Sequence, residues 1–108
     1  MDEQAFQTHA DHALERLFRK LSLASDTYGF EADFNNGALT VEFEEPPGKF
    51  VVSPNSPVRQ IWVSALTKSF KLDWDEASGS FVLPATGQTL EALMADVIGK
   101  QLNDTIEL

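Results

Sequence analysis

At 108 residues and 43% hydrophobic content, the chain carries enough apolar bulk for one domain with a real core, residues 1–108. It has no Cys, which excludes disulfides, thiolate metal sites and cysteine nucleophiles. A formal net charge of −9 argues against nucleic acid, whose phosphates need Lys and Arg, and no apolar run of about 18 residues offers a membrane span. The start, Met1-Asp2-Glu3-Gln4, is acidic and lacks the basic and apolar regions of a secretory signal; an intracellular setting fits.

Apolar residues at spacings of three and four (Phe6, Ala10, Ala13, Leu14, Leu17, Phe18, Leu21) predict an amphipathic helix over Ala5–Leu21. Asp2 can cap it. Ser22–Gly29 reads as a connection. Phe30–Phe34 then alternates, with Phe30, Ala32 and Phe34 on one side and Glu31 and Asp33 on the other. Asn36-Gly37 is a strong hairpin signal. It places Asn35 opposite Ala38 and Glu31 opposite Glu42, with Leu39, Val41 and Phe43 on the apolar face.

Glu45-Pro46-Pro47-Gly48 reads as a turn. Lys49–Ser53, Arg59–Ala65, Ser69–Trp74 and Ser80–Leu83 read as further strands. Thr89 is a cap for a second helix, whose apolar stripe is Leu90, Leu93, Met94, Val97, Ile98 and Leu102. In the tail, Ile106 and Leu108 share a side that can pack back on the body. The order of helix, about six strands and helix predicts an α+β fold. Its form is a two-layer sandwich, with both helices on one face of a mostly antiparallel sheet.

The other sheet face is then wet, and two of its features suggest function. Trp62 sits between Gln60 and Ser64 on the face opposite Ile61, Val63 and Ala65. An exposed indole suits a partner surface, whereas a covering loop or helix would make it plain core. Charge is also segregated: Ser25–Gly48 holds six acids and no base, and Lys49–Leu72 holds four bases and no acid. Glu31 and Glu42 face each other with Asp33 and Glu44 nearby, an arrangement that repels unless a cation or basic partner offsets it. A solvated acidic face is the plainer alternative. His9 and His12 lack the H-E-x-x-H arrangement of a metal site, and Glu15 is placed to pair with Arg19. No G-x-S-x-G, phosphate loop or local Asp-His-Ser grouping suggests an enzyme.

The order of elements, the F-N-N-G-A-L-T-V hairpin (34–41), P-V-R-Q-I-W-V-S (57–64), Asp73-Trp74 and T-G-Q-T-L-E-A-L (86–93) together resemble the frataxin family, specifically its bacterial CyaY branch. The resemblance covers nearly the whole chain. It implies a frataxin-like α/β sandwich and an iron-binding, non-enzymatic adaptor of iron–sulfur cluster assembly. Such a protein serves as iron donor to, or regulator of, a cysteine desulfurase and its scaffold protein. It also implies a cytoplasmic monomer. The metal-site residues expected from charge and resemblance are Asp11, Glu15, Asp26, Glu31, Asp33, Glu42 and Glu44. The partner-binding residues are Asn55, Gln60 and Trp62, with the bases Arg59 and Lys71. The chain departs from the family where bacterial relatives concentrate helix-borne carboxylates. There it has Phe18, Arg19, Ser22, Leu23, Ser25, Thr27 and Gly29, interrupted by Asp26 alone. Acidity moved to the hairpin is one explanation, and a metal-independent regulator of the desulfurase is the alternative function.

Overall fold

The computed structural model describes residues 1–108 as α1 (Glu3–Tyr28), six strands and α2 (Leu90–Leu102). The strands are β1 (Glu31–Asn35), β2 (Ala38–Glu44), β3 (Pro47–Asn55), β4 (Gln60–Ala65), β5 (Lys68–Asp75) and β6 (Ser80–Val82). They form one antiparallel sheet in chain order. Both helices and the inner sheet face share a single apolar core, and no polar residue is fully buried in it. This is the expected α+β sandwich.

α1 buries the anticipated stripe Phe6, Ala10, Leu14, Leu17 and Leu21, and Asp2 caps it by accepting from the Ala5 N–H at 2.7 Å. The helix does not stop at Leu21. It runs to Tyr28 because Ala24 and Tyr28 continue the core-facing spacing and no breaker occurs before Gly29. Gly29 ends it in the left-handed region (φ 76°), where its missing side chain avoids strain. Ser22–Tyr28 is thus helix rather than connection, and Asp26 lies on its last turns.

The β1–β2 register is the one the hairpin signal predicts: Glu31–Glu42, Ala32–Val41, Asp33–Thr40, Phe34–Leu39 and Asn35–Ala38. Asn36 and Gly37 both take positive φ (54° and 78°), as a tight two-residue turn of this kind demands. The next turn is shorter than expected. Glu44 already pairs with Pro47, so only Glu45-Pro46 turns, and proline at a strand's first residue forfeits little. β3 also runs past Ser53 to Asn55, where a 3-10 turn (Ser56–Val58) follows. Arg59, expected inside β4, instead closes that turn with φ 56°, and β4 starts at Gln60. The β4–β5 turn is Leu66-Thr67, both at positive φ (54° and 62°).

After α2 the chain folds back. The Asp104 N–H donates to the Gly99 carbonyl at 2.9 Å, and Ile106 enters the core at 6% exposure.

Candidate functional site

The pleat and the register together build the outer sheet face. β4 contributes Gln60, Trp62 and Ser64 because Ile61, Val63 and Ala65 take the core side. Across the strands, Ser53, Trp62 and Lys71 form one row, and Asn55, Gln60 and Asp73 form the next. No helix lies over this face and none of these side chains is buried.

Trp62 is half-buried rather than bare. Its Nε1–H donates to Gln60 Oε1 at 3.0 Å, and the Gln60 amide donates in turn to Asp73 Oδ1 at 3.0 Å. The Lys71 ammonium stands 4.9 Å from the indole centroid, a cation–π contact. The face therefore offers an indole held from two sides, ringed by Asn55, Gln60, Asp73 and Lys71. Asp73 was not foreseen as part of it. Its signal is its spacing of two from Lys71 on one strand, which is readable only once the β4–β5 register is known. Arg59 sits at the edge of this surface and is partly buried. One of its guanidinium nitrogens donates to the Ser56 carbonyl, while its buried Nε–H has no acceptor.

The expected metal residues fall in two places. Glu31, Asp33, Glu42 and Glu44 stand exposed on the outer face of the hairpin. Glu31 and Glu42 are directly opposite, about 5.5 Å apart at Cα for a hydrogen-bonded pair. Lys49 faces Glu42 from the other side, but no ion pair forms there. Asp11, Glu15 and Asp26 lie on α1, away from the hairpin face. Asp11 and Asp26 are exposed, and Glu15 pairs with Arg19 at 2.8 Å. No three of these carboxylates and imidazoles gather into one cation-holding cluster. Any cation held here meets at most a pair of carboxylates plus water, an arrangement suited to weak, exchanging binding.

His9 and His12 line a cleft of about 330 Å³ between α1, the β5–β6 turn and the start of α2. The His9 ring stacks on Trp74 at 3.9 Å, and Trp74 in turn packs edge-on against Phe81 at 5.1 Å. Beside it Glu91 joins Lys20 at 2.5 Å and Arg16 at 3.2 Å, fastening α2 to α1. These contacts are structural and separate from the sheet face.

A two-layer sandwich, with two helices on one face of a six-stranded sheet whose other face is open and charge-segregated, defines the class of protein. The model of the frataxin-like domain matches residues 1–104, and the chain belongs to that family. Among curated relatives, the iron-sulfur cluster assembly protein CyaY of Azotobacter vinelandii is 34% identical over 79 residues, covering 71% of each chain. The protein of the same name from Pseudomonas aeruginosa is 31% identical over 96 residues, covering 87% of this chain and 88% of its own. Among solved structures, frataxin from Psychromonas ingrahamii matches with a TM-score of 0.74 at 22% identity, over 99% of this chain and 97% of its own. A trimeric frataxin from Saccharomyces cerevisiae matches at 0.72 and 23% identity, over 89% of this chain and 80% of its own. At these identities the two structural matches support the fold alone.

Proposed function

We propose that this protein is a cytoplasmic iron-binding adaptor of iron–sulfur cluster assembly with no catalytic chemistry of its own. It works as iron donor to, or regulator of, a cysteine desulfurase and its scaffold protein. The observation that carries the reading is the open sheet face. An oriented indole with polar neighbours lies on it beside four hairpin carboxylates that no ion pair neutralises. Trp62 is the anchor, because a large, partly desolvated aromatic at the centre of a patch carries more binding energy than its rim. The hairpin acids steer a basic partner and hold iron loosely as cargo.

Replacing Trp62 by Ala is expected to weaken docking to a pyridoxal-phosphate desulfurase by about tenfold or more at low salt. Unchanged binding would overturn the role of the sheet face. Titrating Fe²⁺ while following amide resonances is expected to broaden Glu31, Asp33, Glu42 and Glu44. Broadening confined to α1, around Asp11, Glu15 and Asp26, would refute a hairpin iron site.

The absence of a three-ligand cluster favours a second reading, a regulator that acts without metal. The desulfurase rate measured with and without the protein, in the presence of a chelator, separates the two. An effect that survives chelation belongs to the regulator, and one that vanishes belongs to the iron-binding adaptor.

A further inference from the structure

The two edges of the sheet are unlike. β6 is three residues long and the chain closes over it: Val82 bridges Thr89, and the Leu83 N–H donates to the Gln88 carbonyl at 2.8 Å. β1 has β2 on one side and no strand on the other. Its backbone groups divide by alternation. The two-residue turn makes Asn35–Ala38 the closing hydrogen-bonded pair, so Asp33 and Glu31 also direct their N–H and C=O to β2. Those of Ala32 and Phe34 point outward, and no turn, loop or cap bond uses them.

The side chains around those groups differ above and below. On the outer face Glu31 and Asp33 are exposed and outside every ion pair. On the helix side Ala32 and Phe34 are half-buried, with Phe18 of α1 packed edge-on to Phe34 at 5.9 Å.

We propose that the β1 edge accepts an extended segment of a partner protein in which basic and apolar residues alternate. Opposite Ala32 and Phe34 the segment forms backbone hydrogen bonds, and its apolar side chains there cover Phe34 and Phe18. Opposite Glu31 and Asp33 it occupies non-hydrogen-bonded positions, where cross-strand side chains come closest, so Lys or Arg meets each carboxylate. A second copy of this chain is the wrong occupant, because antiparallel self-pairing centred on β1 sets Asp33 against Asp33. This inference deepens the adaptor reading by naming the chemistry of one partner segment, and rests on it only for that partner's identity.

The probe is a capped peptide of about eight alternating Lys and Val residues, a length typical of a strand. It is compared with a peptide of the same composition in two blocks. The alternating peptide is expected to slow amide exchange at Ala32 and Phe34 and to bind about tenfold more tightly than the block peptide. Ala32→Pro deletes one outward N–H without touching the β1–β2 ladder, and should cost about tenfold in affinity. Should that variant fail to fold, N-methylation of the peptide's pairing nitrogens tests the same bond from the other side. Equal affinity of the two peptides, protection elsewhere than β1, or a dimer protecting Ala32 and Phe34 without peptide would each overturn the proposal. The assay contains no desulfurase, so its failure is distinct from a failure of Trp62-dependent docking.

Discussion

Trp62 gives its N–H to Gln60 and one face of its ring to Lys71, so a partner meets an indole whose orientation is already chosen. Strict alternation along Gln60–Ala65 makes its outward direction legible in the sequence. Gln60, two residues away on the same strand, is legible with it, whereas the contacts from Lys71 and Asp73 are not, since those residues come from another strand through a register no local signal reveals. Glu91 is a sharper case of the same limit. It binds Lys20, 71 positions earlier in the chain, and Arg16 one turn away from it. In the sequence it is only an acid suited to a helix's first turn. In the fold it is the ionic tie between the helices, with its side chain 29% exposed and that of Lys20 32% exposed. Glu91→Ala is expected to cost about 1 kcal/mol, read as a lower urea midpoint with unchanged slope. An unchanged midpoint would show that apolar packing alone holds the two helices together.

Among the elements, the two helices, the six strands and the first hairpin's register follow from periodicity and from Asn36-Gly37. Two features do not. Ser22–Thr27, where the apolar stripe thins out and Leu23 is exposed, resembles a loop, yet it stays helical because Ala24 and Tyr28 still reach the core. Asp26 then places a negative charge near the negative end of the α1 dipole, so Asp26→Lys should raise stability by about 0.3–1 kcal/mol. A lower thermal midpoint in that variant would mean Asp26 has a favourable local contact. The second feature is the Leu66-Thr67 turn, which has the geometry of a glycine turn and none of its residues. A β-branched threonine at φ 62° is strained. Thr67→Gly is expected to stabilise by about 1 kcal/mol, or roughly 4–8 °C in melting temperature. No gain would show that the strain is relieved elsewhere in the turn.

For the whole molecule, segregation of charge along the chain becomes segregation in space. Glu31, Asp33, Glu42 and Glu44 crowd the β1–β2 end of the outer face, whereas on β3–β5 Lys49 and Lys71 share that face with Asp73. That gradient could be anticipated from the sequence because the sheet keeps chain order. Closure of the body by the tail was suggested by the shared side of Ile106 and Leu108, but its route was not. The backbone of Asp104 passes so close to Gly99 that a side-chain carbon there would lie 2.7 Å from the Asp104 carbonyl oxygen. Glycine at 99 is therefore a condition for Ile106 reaching the core. Ile106→Ala should lower unfolding free energy by about 2–5 kcal/mol, checked by chemical denaturation. A loss well below that range would mean the tail peels away before the rest unfolds.

The contrast between a shut rim behind β6 and a vacant one at β1 has a last consequence. A polymer that grows by adding strands needs every unit to accept a neighbour on both flanks. A unit with one plugged flank can end such a stack but cannot continue it. Strand-wise association of this protein is therefore limited to one guest per molecule, which keeps a sheet with an exposed ladder from propagating into fibres.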